Sequence, residues 1–226
     1  MEPVIRIKGL LIDMDGLLLD TERLSEKCWK EAEASTGFRM PEGFYYSLIG
    51  QSMRCIEKRL HEVMDPACDV SGFMREAGRI YTGALTGGEV PVKEHARDFL
   101  EYLEKQAIPR CLATSTGRDL CRIKLERSRL SGYLPLRVCG DEIAHGKPAP
   151  DIYLEAASRL GQPSTRLLVL EDSENGLRSA LAAGCPTAHV PDIGPVATEI
   201  QKQVDRVYRD LGAVVSAFER GEIVLE

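Results

Sequence analysis

The sequence predicts an α/β protein whose core is a Rossmann-like, mostly parallel sheet that carries an inserted α-helical domain. Short Val- and Leu-rich strands alternate with amphipathic helices in the C-terminal part of the chain, which indicates a parallel sheet covered on both faces. Three helical patterns without a convincing strand between them follow the first strand. We therefore expect a core domain formed by residues 1–16 and 88–226, and a helical cap domain formed by residues 17–87.

The first strand is predicted over residues 4–13, where VIRIKGLLID changes from alternation to a continuous apolar run. The first cap helix is expected to begin near Asp20–Thr21, a good N-cap, and to stop by Gly37. The second covers residues 52–64, with Met53, Ile56, Leu60 and Val63 at helical spacing, and the third covers about 71–85. The segment TGGEVP then forms a linker to the rest of the core.

Four further strands are predicted where apolar segments end in turn residues: PRCLATS, LPLRVCGD, TRLLVLED and PTAHVPD. The helices that accompany them are HARDFLEYLEKQ, GRDLCRIKLER, PDIYLEAASRLG and NGLRSALAAG. In open parallel sheets, ligands bind outside the carboxyl ends of the strands. Carboxylates, hydroxyls and a lysine follow these strand ends, so the chemistry is expected at that edge of the sheet.

The composition limits the classes of partner. The 226 residues carry a net charge of −6, which argues against nucleic acid and anionic membrane surfaces as partners. No apolar stretch reaches membrane-spanning length, and MEPVIRIKG lacks a secretory apolar segment. The seven cysteines are scattered and never form C-x-x-C, which favours reduced thiols in the cytoplasm. We expect a monomer.

Asp13 and Asp15 stand together at the end of the first strand, in the stretch LLIDMDGLLLD. Side chains two residues apart in an extended segment point to the same side, so both can share one site. At ~4 Å and an effective dielectric constant of ~20, two carboxylates repel by roughly 4 kcal/mol, and a bound cation or a proton relieves that repulsion. A simple turn is the alternative for any lone D-x-D-G. A calcium-binding EF-hand loop is excluded because Leu17 and Leu18 occupy positions that need an oxygen ligand and a glycine.

The stretch ATST ends the next strand, and GRDL opens a helix directly after it. The hydroxyls of Thr114 and Thr116, with the backbone N–H groups of residues 115–117, form a candidate phosphate site at the helix N-terminus. Ordinary helix capping by the same hydroxyls is the alternative.

Two further strand ends supply charged groups. Lys147 lies in HGKPAPD, between a glycine and a proline that restrict it, although a lone lysine is commonly a solvated charge. Glu171 and Asp172 end LLVLED, where capping of the next helix is the alternative. An oxygen-rich set of this kind suits Mg²⁺ bound together with a substrate phosphate, and no histidine or cysteine cluster argues for zinc.

These four stretches together, DMDG, ATST, the lysine of GKPAPD and LEDSENG, resemble the four motifs of the haloacid dehalogenase (HAD) superfamily, over nearly the whole chain. The chain is most similar to members with a helical cap, in the group of β-phosphoglucomutase-like phosphatases. The resemblance implies a HAD-like core, a Mg²⁺-dependent phosphoric monoester hydrolase, and a small phosphorylated metabolite as substrate, either a sugar phosphate or a nucleoside monophosphate.

The resemblance also implies roles for individual residues. Asp13 would be the nucleophile that forms an aspartyl-phosphate, and Asp15 would be the acid/base group that protonates the leaving alkoxide and then activates water. Mg²⁺ would be held by Asp13, the backbone carbonyl of Asp15 and Asp172, with Glu171 assisting.

The phosphoryl oxygens would be held, by the same resemblance, by Thr114, Ser115 and Lys147. The cap would select the substrate, and the residues expected to reach it are Gly50, Gln51, Ser52 and Arg54, with Arg79 as a further candidate. An ordinary exposed polar residue is the alternative at each of these positions. Linkers at residues 17–20 and 87–89 would let the cap close and exclude water.

One departure from the family pattern and two from β-phosphoglucomutase itself bear on the reaction. Leu17 follows Gly16, where the family often has threonine or valine; Ser25 replaces a histidine of the first cap helix; and Met53 stands where an arginine grips a second phosphate, with Arg54 one position away. Hydrolysis is therefore preferred over the alternative, a phosphomutase. A dehalogenase does not require the second aspartate or the metal, and a non-catalytic phosphometabolite-binding module does not require the nucleophile and its acid/base partner.

Overall fold

The computed structural model describes residues 3–51 and 53–226, and its strands are predominantly parallel. The strands are β1 (Ile5–Ile7), β2 (Gly9–Ile12), β3 (Arg110–Thr114), β4 (Arg137–Cys139), β5 (Leu167–Glu171), β6 (Thr187–His189), β7 (Arg206–Val207) and β8 (Ile223–Leu225). The main sheet has the order β4-β3-β2-β5-β6-β7, and all its pairings are parallel. The predicted α/β class with a parallel sheet is confirmed.

The helices are α1 (Thr21–Thr36), α2 (Met53–Val63), α3 (Val70–Gly87), α4 (Ala96–Lys105), α5 (Arg118–Arg127), α6 (Asp151–Leu160), α7 (Glu174–Ala182), α8 (Thr198–Gln201) and α9 (Leu211–Glu219). The helices predicted from periodicity are all present, with boundaries within a few residues of those expected. The predicted linker TGGEVP begins inside α3, which continues to Gly87.

The first predicted strand is wrong as a single element, because the chain changes sheets at Lys8. β1 pairs with β8 in a separate two-stranded sheet, whereas β2 lies between β3 and β5 in the main sheet. The backbone N–H of Lys8 donates to the carbonyl oxygen of Arg166 at 2.7 Å, which anchors the crossing. The partner strand β8 lies more than 200 residues away, so the local pattern of residues 4–13 contains no signal for the break.

The continuous apolar run of β2 results from burial on both faces of the sheet. Leu10 and Ile12 belong to a core that also contains Phe99 of α4 and Val214 of α9. Leu11 points to the opposite face and joins a second core, which contains side chains of α6 and α7. Burial on both faces holds β2 in the centre of the sheet and fixes the position of the residues that follow it.

Helices α1, α2 and α3 pack together around a third hydrophobic cluster, which contains Trp29, Leu60 and Phe73. On α2 the buried stripe is limited to Ile56 and Leu60. Met53 and Val63, which the helical spacing placed with them, are 57% and 48% exposed because they lie outside that narrow stripe. We refer to α1–α3 and the loops between them as the helical unit.

Within the residues that the structure describes, the helices lack the combination of length and apolar character needed to cross a bilayer.

Candidate active site

Asp13 and Asp15 follow β2 directly and lie at the carboxyl end of the main sheet. The backbone N–H of Asp13 continues the ladder by donating to the carbonyl oxygen of Leu170 at 3.2 Å. The side chain of Asp13 is 9% exposed and that of Asp15 is 19% exposed, and both line one cavity. The prediction that the two carboxylates face a common site therefore agrees with their positions.

Gly16 permits the sharp turn after the two aspartates. Its φ of 85° lies in the left-handed region, and a Cβ placed there would lie 2.1 Å from Oδ2 of Asp172. Any side chain at this position would displace the Asp172 carboxylate, so the glycine brings the ends of β2 and β5 together.

Lys147 lies between two carboxylates in the interior. Its Nζ donates to Oδ1 of Asp13 at 2.6 Å, to the carbonyl oxygen of Ala113 at 3.1 Å, and to Oε1 of Glu171. Burial raises the pKa of Asp13 to about 8, against the opposing effect of the Lys147 ammonium. The pKa of Lys147 is raised, because the carboxylates of Asp13 and Glu171 outweigh the effect of burial. Lys147 is thus a placed cation and not a solvated surface charge.

Glu171 is fully occupied by protein groups. In addition to Lys147, Tyr153 donates its hydroxyl to Oε1 at 2.6 Å. The other oxygen, Oε2, accepts from the backbone N–H of Asp172 at 3.1 Å and from the backbone N–H and hydroxyl of Ser173 at 3.2 and 3.1 Å. This carboxylate therefore orients Lys147 and the loop after β5.

Asp172 has a carboxylate oxygen that is left without a partner. The residue is 1% exposed, and its Oδ1 is buried with no hydrogen-bond partner among the residues that the structure describes. Burial, and then the neighbouring charges of Glu171 and Asp13, raise its pKa well above the usual range. Ligand atoms of Asp13, Glu171 and Asp172 lie within 4.8 Å of one another. Three buried carboxylates with one ammonium group and an unpartnered oxygen fit a divalent cation with oxygen ligands.

Asp15 is held by three donors. Thr21 and Thr116 donate their hydroxyls to Oδ1 and Oδ2 at 2.5 and 2.7 Å, and Lys124 donates from Nζ to Oδ1 at 2.6 Å. Burial alone would raise the pKa of Asp15. The Lys124 ammonium and these hydrogen bonds have a larger, opposite effect, so the net shift of the pKa is downward. Sequence reasoning missed Lys124, whose only signal is a charged residue on the buried side of α5.

The stretch after β3 supplies hydroxyl and backbone groups to the same cavity. Thr114 is 1% exposed, and its Oγ1 accepts from the backbone N–H of Thr116 at 3.1 Å. Ser115 is exposed and lines the cavity beside Gly117. The hydroxyl of Thr116 is directed to Asp15, so Thr114 and Ser115 are the hydroxyls that remain for a phosphate.

A cavity of about 510 Å³ lies between these strand ends and the helical unit. The strand-end side contributes residues that include Asp13, Asp15, Thr114, Ser115, Lys147 and Asp172. The helical unit contributes Thr21, Glu22, Ser25, Trp29, Tyr45, Leu48, Ile49, Gly50, Gln51, Met53, Ile56, Ala77, Gly78, Tyr81 and Thr82. A volume of this size accommodates a small metabolite.

Only some of the residues of the helical unit that we expected to contact substrate line the cavity. Gly50 and Gln51 line the cavity. Ser52 lies outside the described residues. Arg54 is exposed and does not line the cavity, and Arg79 is exposed and pairs with Glu76 at 2.8 Å. The aromatic side chains and Glu22 were not anticipated, since in the sequence they belong to ordinary amphipathic helices.

Comparison with known proteins agrees with the motifs. The family described as haloacid dehalogenase-like hydrolase matches residues 10–190. A probable pseudouridine-5′-phosphatase from Drosophila melanogaster is 33% identical over 193 residues, 83% of each protein. A phosphorylated carbohydrates phosphatase from Thermotoga maritima is 30% identical over 184 residues, 79% of this chain and 82% of that protein.

The fold is shared with solved structures. A putative β-phosphoglucomutase from Thermotoga maritima superimposes with a TM-score of 0.76 at 24% identity, covering 94% of this chain and 99% of the other. At that identity the likeness concerns the fold alone. The resemblance predicted from the four motifs is confirmed.

Proposed function

Since the chain belongs to the haloacid dehalogenase-like hydrolase family, we propose that it is a phosphatase that hydrolyses a small phosphorylated metabolite through an aspartyl-phosphate on Asp13. The observation that carries this proposal is the convergence of Asp13, Asp15, Lys147 and Asp172 on one cavity at the carboxyl edge of the sheet. The two relatives described above are named a probable pseudouridine-5′-phosphatase and a phosphorylated carbohydrates phosphatase. A sugar phosphate or a nucleoside monophosphate is the substrate we propose.

Asp13 is the proposed nucleophile. Lys147 holds one carboxylate oxygen at 2.6 Å, and the side chain is otherwise directed at the cavity. An oxygen of Asp13 attacks the phosphorus, the bond to the leaving alkoxide breaks, and the phosphoryl group is transferred to the carboxylate. Fixing the carboxylate before substrate arrives reduces the entropic cost of this step.

Asp15 is the proposed acid/base group. It must be protonated in the substrate complex, and it gives that proton to the departing alkoxide oxygen. In the second half-reaction it regains a proton from the water that attacks the phosphorus, and the bond between phosphorus and the Asp13 oxygen breaks. The three donors from Thr21, Thr116 and Lys124 fix its position beside Asp13.

The transferred phosphoryl oxygens are assigned to Thr114, Ser115 and Lys147. Donors of this kind, aimed at oxygens whose charge grows during transfer, stabilise the transition state in a site that excludes water. Lys147 makes these contacts while it stays paired with Asp13 and Glu171.

Mg²⁺ is the metal we propose, held by Asp13, Asp172 and the backbone carbonyl of Asp15. The unpartnered Oδ1 of Asp172 supports this assignment. Glu171, whose oxygens are already occupied, would assist from one shell further out. When bound, Mg²⁺ offsets the repulsion between the carboxylates and the phosphate and polarises the phosphoryl oxygens.

Residues 17–87 are proposed to act as a cap that closes over the cavity. Two linkers join them to the core and lie side by side: Asp20 N–H donates to the Pro91 carbonyl at 2.9 Å, and Lys93 N–H donates to the Leu18 carbonyl at 3.0 Å. At the far side of the cavity, Asn175 donates from Nδ2 to the Gly50 carbonyl at 3.3 Å. The paired linkers would act as a hinge, and the contact between Asn175 and Gly50 would hold the cap closed, so that water is excluded during phosphoryl transfer.

A phosphomutase is the less supported alternative, because it would have to hold a second phosphate. The cations among the described residues lining the cavity are Lys124 and Lys147, and both are paired with core carboxylates. We further propose that the protein works in the cytoplasm, which is supported by seven cysteines that are scattered along the sequence and never form C-x-x-C.

The test is phosphate release from a panel of monoesters with and without Mg²⁺, using the full chain. Metal-dependent release from sugar phosphates or nucleoside monophosphates is expected. Isomerisation that needs a bisphosphate activator would favour the mutase, and binding without turnover would favour a non-catalytic module.

A further inference from the structure

Glu22 places a carboxyl group in the wall of the cavity that belongs to the helical unit, and burial raises the pKa of this group to about 7. It lies in the first turn of α1, and the Tyr45 hydroxyl donates to its backbone carbonyl at 3.0 Å and lies 3.4 Å from its Oε2. Its Oε1 makes no hydrogen bond to any other described residue, and no cation of the described chain lies within ion-pair distance of the carboxylate. A carboxylate placed in this way has an acceptor available for a ligand donor.

The surroundings of Glu22 on this wall are aromatic and apolar. Trp29 and Tyr45 meet edge to face with their ring centroids 5.5 Å apart, and Tyr81, Ile49 and Leu48 continue the surface. Such a wall packs against the carbon skeleton of a ligand. The Glu22 carboxyl group is then the acceptor in this wall, and it favours ligands with a hydroxyl group at the matching position.

Among the described lining residues, this half of the cavity offers no cation to a second anionic group. Lys124 and Lys147 line the cavity on the core side, and each is held at 2.6 Å by a carboxylate, Asp15 and Asp13 respectively. Glu22 is the ionisable side chain that remains on the opposite wall among the described lining residues. A carboxylate or second phosphate on the leaving group would therefore face Glu22 without a counter-charge.

We propose that Glu22 is a specificity-determining residue: its carboxylate accepts a hydrogen bond from a hydroxyl of the leaving alcohol and rejects substrates that carry a second anionic group. The inference rests on the proposed phosphatase function and narrows it. The substrates are monophosphate esters of uncharged, polyhydroxylated alcohols, and esters of hydroxy acids and bisphosphates are excluded.

The test compares kcat/KM for three kinds of ester with the full chain and Mg²⁺, at a pH well above the value of about 7 to which burial raises the pKa of Glu22. Ribose 5-phosphate, fructose 1-phosphate and UMP are assayed first, and the one with the highest kcat/KM serves as the hydroxylated probe. The anionic probe is 3-phosphoglycerate, and p-nitrophenyl phosphate is the reference because its leaving group has no hydroxyl donor. The variants are Glu22→Gln and, as a matched control, Glu31→Gln, which changes an exposed residue of the same helix.

We expect the wild-type protein to prefer the hydroxylated probe over 3-phosphoglycerate by at least about 100-fold. In Glu22→Gln, the ratio of kcat/KM for the hydroxylated probe to that for p-nitrophenyl phosphate should fall about 10-fold or more, the size expected for a lost hydrogen bond to a charged group. The preference over 3-phosphoglycerate should also shrink, and Glu31→Gln should change neither ratio. Glutamine keeps the size of the side chain, and circular dichroism with thermal unfolding checks that the variant is folded.

An unchanged ratio in folded Glu22→Gln, or a wild-type protein that prefers 3-phosphoglycerate, would overturn the inference while leaving the phosphatase proposal intact. A wild-type protein that releases phosphate from none of these esters would overturn both.

Discussion

Lys147 and Asp13 are 134 positions apart in the chain, yet Nζ of the lysine lies 2.6 Å from Oδ1 of the aspartate. The two side chains are 3% and 9% exposed, so this is a buried ion pair at the end of the central strand. A buried pair of this kind is retained for placement more than for stability, because desolvation offsets much of its attraction. It orients the Asp13 carboxylate toward the cavity.

Asp13→Asn should reduce phosphatase activity by about 10³-fold or more, because an amide oxygen is a poor nucleophile toward phosphorus. The fold should persist, since asparagine has nearly the same shape and Lys147 keeps its contacts with Glu171 and Ala113. Phosphate release at saturating substrate measures the loss, and circular dichroism checks the fold. Activity close to that of the wild type would exclude Asp13 as the nucleophile.

Mg²⁺ should raise the thermal unfolding midpoint, because a cation bound only by the folded protein stabilises it. At a concentration of 100 times Kd the gain is about 2.7 kcal/mol, which corresponds to about 5 °C or more for a chain of this size. Unfolding is followed by calorimetry with EDTA and with Mg²⁺.

Asp172→Asn is the matched variant for the metal experiment. Removing one of the crowded carboxylates should leave the metal-free protein as stable as the wild type or more so, because its Oδ1 has no partner to lose among the described residues. The Mg²⁺-dependent increase should disappear. An increase of wild-type size in Asp172→Asn would reject this carboxylate as a ligand.

Gly50→Ala should impair the seating of the helical unit on the core. A Cβ at Gly50 would lie 2.8 Å from Cβ of Ser173, so the two sides of the cavity would have to separate. We expect kcat/KM to fall by about 10²-fold, as for other misplacements of about 1 Å. Gly43→Ala is the control: its φ of 73° imposes similar strain, but nothing lies within 4 Å of the added carbon. The proposed contact is rejected if both variants lose the same activity.

Glu142→Gln should lower the free energy of unfolding by about 1.5 kcal/mol at pH 7, through weakened hydrogen bonds to a charged group. Burial raises the pKa of Glu142, but hydrogen bonds from Arg159 and from the backbone N–H of Cys139 lower it below the usual 4.5. A lowered folded pKa stabilises the protein above the unfolded pKa, and this contribution is lost as the pH falls through the folded value. Urea unfolding should therefore show the full difference from wild type at pH 7 and a vanishing one well below pH 4.5. A difference that grows on acidification would contradict the assignment.

Local patterns predicted the strands and helices that carry the site. Four motifs stand in order at strand ends: DMDG, ATST, GKPAPD and LEDSENG. This order sufficed to predict that Asp13, Lys147 and Asp172 lie close together, because parallel strands present their carboxyl ends at one edge of the sheet. The single strand expected over residues 4–13 was wrong, since the pairing of β1 with β8 depends on a distant segment.

Residues that act through tertiary contacts were beyond local patterns. Lys124 lies on α5, eight residues after the end of the ATST stretch, and only packing directs it to Asp15. Glu22 and Tyr153 belong to ordinary amphipathic helices in the sequence, and their neighbours across the cavity and the sheet give them their significance. Which residues of the helical unit face the cavity likewise depends on how α1–α3 pack.

The most direct test of the central claim is to trap the phosphorylated enzyme. The full chain is mixed with Mg²⁺ and a saturating monoester, quenched in acid during steady turnover, and digested for mass spectrometry. The account predicts one added phosphoryl group on Asp13, removable by hydroxylamine and missing from Asp13→Asn. An enzyme that turns over rapidly but carries no phosphoryl group, or carries it on another residue, would contradict the account.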